Sequence, residues 1–175
     1  DFRGGYGFLK FNGETVCSFA DGNFHASTHQ ANLVQVEEIL IDADLPAGTA
    51  GDLYRVVARL VHRAEDQKYG CTLVIDLNST PIAIAGQNLE TPLDLRQEAL
   101  LDLAGALAKV DGALHIGADQ RLHGFACLLD GRRIPGEDRS RGARFNSALR
   151  FTAENRRIVV VVVSEDRPVA IIQDG

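Results

Sequence analysis

Apolar and polar positions along the chain change period several times, and each change marks an element. Tyr6, Phe8, Phe11, Val16 and Phe19 alternate loosely around Asn12-Gly13. That dipeptide between apolar runs favours a two-residue turn, so a β-hairpin is predicted over residues 5–19. Residues 31–42 (ANLVQVEEILID) fit a strand or a short helix, and Gly48 and Gly51 break the pattern after them. From Asp52 the period becomes helical: Leu53, Val56, Val57, Leu60, Val61 and Ala64 recur at i, i+3, i+4, i+7, and the helix ends near Gly70. CTLVIDL (71–77) is a buried strand, and residues 81–85 a short second one. Residues 95–109 form a second helix with Leu100, Leu103, Ala104 and Leu107 on one face.

The second half is denser in signals. Residues 113–116 and 122–129 are strands, an Arg-rich loop follows, and a helix runs from about Gly142 to Asn155. IVVVVV (158–163) is apolar on both faces, as in a central strand covered by helices. Residues 168–173 close as a final strand. Strands interleaved with helices, together with hairpin-like pairs, predict an α/β fold: a mixed sheet flanked by helices.

Composition narrows the class. The 175 residues are 45% hydrophobic and 24% charged, enough apolar surface for a folded core. No apolar run approaches the length of a membrane span, and the N-terminus DFRGGYGFLKF lacks the features of a signal peptide. Methionine is absent even at position 1, so the chain is expected to be a piece of something longer or a trimmed product.

The net charge of -6 argues against a general nucleic-acid binder. The charge is uneven, however. Eight arginines lie between Arg132 and Arg157 against Glu137, Asp138 and Glu154, which leaves that segment at +5 and the remainder at -11. Such a segment is either a solvated face or a local anion site, since Arg pairs bidentately with phosphate. Cys17, Cys71 and Cys127 are far apart, odd in number and without CxxC spacing. They read as buried free thiols in a reducing cytosol, not as a disulfide framework or a zinc site.

Two stretches carry candidate chemistry. In Lys109-Val110-Asp111-Gly112-Ala113, between a helix and a strand, a carboxylate precedes a glycine that lets backbone approach a ligand. Asp-Gly is also an ordinary turn. In Arg141-Gly142-Ala143-Arg144-Phe145-Asn146-Ser147-Ala148, Gly, Arg, Ser and free amides meet at a helix start, which is a phosphate cradle or a simple helix cap. The central strand ends in Ser164-Glu165-Asp166, a hydroxyl and two carboxylates that either bind a divalent metal or form a solvated turn.

In this order, AKVDGALHI, RGARFNSALRF and VVVSEDRPVAII resemble the diadenylate cyclase (DAC) domain, the nucleotide-binding domain of DNA-integrity-scanning-type proteins. The resemblance covers about residues 52–175 and divides the chain into a nucleotide-binding unit, 51–175, and an N-terminal extension, 1–50, which contains the hairpin. It implies a twisted mixed sheet between helices. It also implies condensation of two ATP molecules into cyclic di-AMP with release of pyrophosphate, a Mg²⁺ or Mn²⁺ cofactor, and a homo-oligomer whose active sites meet face to face. Asp111 would assist activation of the ribose 3′-hydroxyl, directly or through metal. Gly112 and Ala113 would line the nucleotide pocket, and Gly142, Ala143, Arg144, Asn146, Ser147 and Ser164 would surround phosphate. Asp111, Glu165 and Asp166 would be the metal ligands. A cytoplasmic location goes with this reading.

The chain departs from the family pattern where Arg-His-Arg becomes Arg144-Phe145-Asn146 and the usual Thr becomes Ala143. One guanidinium and an imidazole are lost. Asn146 still donates hydrogen bonds, and Arg139 or Arg141 lies near enough to replace the charge. Phe145 would pack into the core or stack on a base. The alternatives are therefore a catalytically silent nucleotide or cyclic-dinucleotide sensor in the same pocket, and a module that keeps only the fold. His25 and His29 have HxxxH spacing without a supporting Glu, and His115 and His123 read as hydrogen-bonded sheet residues.

Overall fold

A computed structural model describes residues 7–11, 14–20, 23–25, 30–135, 137–165 and 167–174, with side chains from residue 33 onward, Arg139 excepted. Strands β1 (Gly7–Phe11), β2 (Glu14–Ala20) and β3 (Asn23–His25) form an antiparallel three-stranded sheet. Phe11 pairs with Glu14, the register that a two-residue connection gives. Asn12, Gly13 and His29 lie outside the described residues, so the turn and the HxxxH pair are not placed.

The main sheet has six strands in the order β5-β7-β6-β4-β8-β9: β4 (Cys71–Asp76), β5 (Gln87–Asp94), β6 (Ala113–Gly117), β7 (Arg121–Cys127), β8 (Ile158–Val163) and β9 (Ala170–Gln173). β4 and β6 are parallel, and the other pairs are antiparallel. Four helices flank it: α1 (Gln30–Asp42), α2 (Thr49–Asp66), α3 (Glu98–Leu107) and α4 (Ala143–Glu154).

Side-chain alternation splits the core into two layers. Leu73, Ile75, Leu114, Ile116, Val159 and Val161 face α1, α2 and α3, where Leu33, Val36, Leu53, Leu60 and Leu101 close the layer. Val74, Ala113, Val160 and Val162 face Ala148 and Phe151 of α4 on the other side. β4 and β8 are buried along their whole length, as expected of strands with helices on both faces.

The structure decides one open assignment and corrects two. Residues 31–42, which fit a strand or a short helix, belong to helix α1. Residues 81–85 form no strand; with Gly86 they cross the α4 face as a strap in which Ile84 is buried, and the real strand, β5, follows at Gln87–Asp94. β5 is largely exposed, so it lacked the apolar alternation that marks a strand. Helix α3 buries Leu101, Ala104 and Gly105, while Leu103 is exposed. It is apolar on several faces, so its period alone did not select the inner one. Arg63 and Tyr69 decide the matter: the Tyr69 hydroxyl donates to the Gly105 carbonyl at 3.2 Å, and Arg63 packs where a Gly105 side chain would be.

Candidate functional site

Strand register brings the three sequence motifs to one end of the sheet. Cys71, which opens β4, faces Val163, which closes β8. Ala113, which opens β6, faces Thr72 of β4 and Cys127 at the end of β7, and Ala170, which opens β9, faces Val162. Asp111-Gly112 before β6 and Ser164-Glu165 after β8 therefore leave the sheet at the same edge. They are separated by β4 alone, about 10 Å at two strand spacings. Helix α4 starts at this end, because it precedes β8 in the chain and lies against it.

Arg144 reaches the start of β4, the strand that separates them. Its Nη1 is 2.6 Å from where a side chain on Gly70 would begin, above the start of β4 and beside the Val163 carbonyl. Gly70, which the helical period marked only as the end of α2, makes room for this guanidinium. Arg144 and Ser147 are three residues apart and share a face of α4. Gly142 caps the helix with φ +90° and no side-chain cap bond. The first-turn amides and the helix dipole thus favour an anion beside Arg144.

The Asp111-Gly112 turn is tightly seated. The Gly112 amide donates to Asp111 Oδ1 at 3.1 Å, and the Asp111 carboxylate is otherwise exposed. Gly112 has φ +105°, and a Cβ there would fall 2.5 Å from the Ala126 carbonyl carbon and 2.7 Å from its Cα. Backbone meets backbone, so only glycine fits.

The altered Arg-His-Arg positions turn inward. Asn146 is buried and donates from Nδ2 to the Asp138 carbonyl at 3.0 Å, while its Oδ1 has no hydrogen-bond partner. Phe145 packs against the α4-side core, and the Arg141 guanidinium lies over its ring, 3.9 Å from the centroid. A cavity of about 560 Å³ opens on the β9 side of α4, lined by Arg141, Phe145, Ser164, Arg167 and Ile171. Ser164 belongs to that cavity. Asp111, Gly112, Ala113, Arg144 and Ser147 do not line it; Ala113 is buried at the start of β6, and Ala143 is exposed at the helix start.

Several arginines of the basic segment are structural. Arg150 pairs with Glu137, and Arg157 donates to the Leu77 and Ala43 carbonyls. Arg167 donates to the Ser140 carbonyl. Burial pushes the Cys71 thiol up to about 12, and burial raises Cys127 as well, so both are inert.

Among the described residues no group of three or more His, Cys, Asp or Glu side chains is placed to hold a metal ion, and Asp166 lies outside them. Asp111 and Glu165 are exposed carboxylates at the same sheet end. That donor set fits a hard divalent cation brought in with substrate phosphates, the usual mode for Mg²⁺, and does not fit a closed all-protein cage.

The family profile described as DisA bacterial checkpoint controller nucleotide-binding (DAC) matches residues 59–175, a span that includes all three motifs. The chain belongs to this family. The DAC assignment agrees with the architecture. Among solved structures, a hypothetical membrane spanning protein from Bacillus cereus aligns with a TM-score of 0.63 at 17% identity, over 83% of this chain and 70% of that one. A double-cysteine mutant of DacA from Staphylococcus aureus aligns with a TM-score of 0.50 at 20% identity, over 71% of this chain and 83% of that one. At these identities the likeness is one of fold. No curated protein matches the chain. Among the described residues no helix is long and apolar enough to cross a membrane.

Proposed function

We propose that this DAC domain is a diadenylate cyclase, a nucleotidyltransferase that joins two ATP molecules into cyclic di-AMP. The observation that carries the reading is that Asp111-Gly112-Ala113, the start of α4 with Arg144 and no side-chain cap, and Ser164 all lie at one end of the sheet. In each half-reaction the 3′-hydroxyl oxygen of one ATP attacks the α-phosphorus of the other. A P–O bond forms, the bond to pyrophosphate breaks, and the hydroxyl proton leaves. Two reciprocal steps close the ring and release two pyrophosphates. The catalytic unit in this reading is residues 51–175, with helix α1 packed into the same core.

The residues divide the work by position. Asp111 accepts the hydroxyl proton or orients the hydroxyl, Gly112 and Ala113 bring backbone against the nucleotide, and Arg144 with the α4 amides neutralises charge on the phosphates. Ser147 and Ser164 donate to phosphate oxygens from either side. Mg²⁺ or Mn²⁺ held by Asp111, with Glu165 and Asp166 as further candidate ligands, would supply charge neutralisation at the phosphates. Each domain presents one ATP, so two copies face each other in the active assembly.

Incubating the full chain with ATP and Mn²⁺ and separating the products by chromatography tests this. Cyclic di-AMP is expected, and Asp111→Asn abolishes it without changing the melting temperature, because Asp111 is exposed. A wild-type chain that makes no cyclic dinucleotide at high concentration refutes the catalytic reading. The inward turn of Asn146 and the packing of Phe145 favour a second reading, a silent sensor in the same pocket. Binding of ATP or cyclic di-AMP by calorimetry without turnover selects it.

A further inference from the structure

Asp76 closes β4 at the end of the sheet opposite the candidate site, and it is fully buried. Its carboxylate accepts four hydrogen bonds. Oδ1 takes Asn78 N at 3.0 Å and Asn78 Nδ2 at 2.8 Å; Oδ2 takes Ile82 N at 2.8 Å and His115 Nε2 at 3.0 Å. A carboxylate can only accept, so Nε2 carries the proton of the buried His115 ring. Asp76 therefore holds two things at once: the start of the strap, through Ile82, and the middle of β6, through His115.

Both lead to the Asp111-Gly112 turn. Along the strap, Ile84 is buried in the same layer as Ala113 and Cys127, and the Ala85 carbonyl accepts from Leu128 N at 2.7 Å. Gly86 has φ +151°, and a Cβ there would fall 2.7 Å from Cys127 Cα. The strap thus braces the Ala126–Leu128 backbone from one side while Gly112 presses on Ala126 from the other. Along β6, His115 stands two residues beyond Ala113. Ala126 itself sits at φ +49°, a conformation that persists for a non-glycine residue only when its surroundings enforce it.

We infer that Asp76 and His115 are positioning residues for the Asp111-Gly112-Ala113 turn, acting through the strap of residues 81–86 and through β6. This rests on the reading of that turn as part of the nucleotide site. Neither residue touches the turn. They set where it lies by clamping the strap and the strand between which it is held.

Amide hydrogen exchange and kinetics on the full chain test the inference together. His115→Leu removes the donor, and His115→Gln keeps an N–H of similar reach. In His115→Leu, exchange at Leu128 and Gly112 rises by about tenfold while the Val160–Val163 amides of β8 stay at the wild-type rate, and His115→Gln restores most of the protection. In the same variant kcat falls by about tenfold and affinity for a non-hydrolysable ATP analogue holds within about twofold, the split expected of a misplaced reacting group. If His115→Leu does not fold, Asn78→Ala at a half-buried position removes one donor to Asp76 and gives the same exchange pattern at about threefold amplitude. Unchanged exchange at Leu128 and Gly112, a uniform rise across the sheet, or faster exchange with unaltered kcat overturns the inference. A wild-type chain that neither turns over nor binds nucleotide refutes the cyclase reading instead, and exchange still decides the clamp.

Discussion

Replacing Gly112 by alanine separates the two reasons for a glycine in the Asp111-Gly112 turn. The first is conformational: at φ +105° an L-residue is strained by about 1–2 kcal/mol. The second is steric. The new Cβ would lie 2.5 Å from the carbonyl carbon and 2.7 Å from the Cα of Ala126, and both are backbone atoms that cannot rotate away. Forcing such an overlap in a packed region costs about 1–3 kcal/mol more. Gly48 supplies the control. It has φ +83° but nothing within 4 Å of its Cβ position, so Gly48→Ala carries the conformational cost alone. The gain from a less flexible unfolded chain is the same for both. Gly112→Ala is therefore expected to lower stability by about 2–5 kcal/mol against about 1–2 kcal/mol for Gly48→Ala. In a domain of this size each kcal/mol moves the melting temperature by about 2–4 °C, so the two variants differ by several degrees in a calorimetric or circular-dichroism melt. Equal melting temperatures would refute the close approach of the turn to Ala126, and with it the seat proposed for the nucleotide.

Other consequences follow from the same contacts. Gly70→Ala places a Cβ 2.6 Å from Arg144 Nη1, the far end of a flexible side chain, and 3.2 Å from the Val163 carbonyl oxygen, so it displaces the guanidinium at a smaller cost in stability than Gly112→Ala. Nucleotide titration of Gly70→Ala should match that of Arg144→Ala, and wild-type affinity in Gly70→Ala would show that Arg144 does not act from this position. Asp76→Asn leaves an amide NH₂ facing buried donors and costs about 3 kcal/mol at neutral pH, which a urea titration reads directly. Burial pushes the Asp76 carboxyl up, but its hydrogen bonds, led by His115, outweigh this and hold it below the usual carboxylate range. A depressed carboxyl stabilises the fold above its unfolded value of about 3.9 and loses that contribution as the pH falls through its lower folded value. The gap between wild type and Asp76→Asn should therefore narrow in acid, and a gap that widens contradicts the assignment. Alkylation at about pH 8 followed by peptide mapping should leave Cys71 and Cys127 unlabelled in the folded chain and label them in guanidinium. With Cys71 pushed up to about 12, stability should fall as the pH rises above the free-thiol value of about 8.5. Labelling of Cys71 in the native state would contradict its burial.

Much of the fold was legible because the strongest signals were local. The period of α2 named all six of its buried residues, and the all-apolar run of β8 announced a strand covered on both faces. Where burial was partial, the pattern weakened. β5 is mostly exposed and carries no alternation, and the strap before it has a short apolar run like a strand's although only Ile84 in it is buried. The ordered motifs were legible too, and the family they resemble is the family to which the chain belongs.

Which segments bury apolar surface, the α/β class, and the chemistry available at Asp111, Arg144 and Ser164 can be read along the chain. Tertiary packing brings these three to one sheet end, because their placement depends on strand register between segments some 20–50 residues apart, which no local period encodes. It also decided that Asn146 bonds inward to Asp138 and that Gly70 exists to admit Arg144. It placed a clamp at Asp76 and His115, two buried polar residues that the chain separates by 39 positions. A buried carboxylate must find donors wherever the fold supplies them, and those donors are named by three-dimensional packing, not by spacing along the chain.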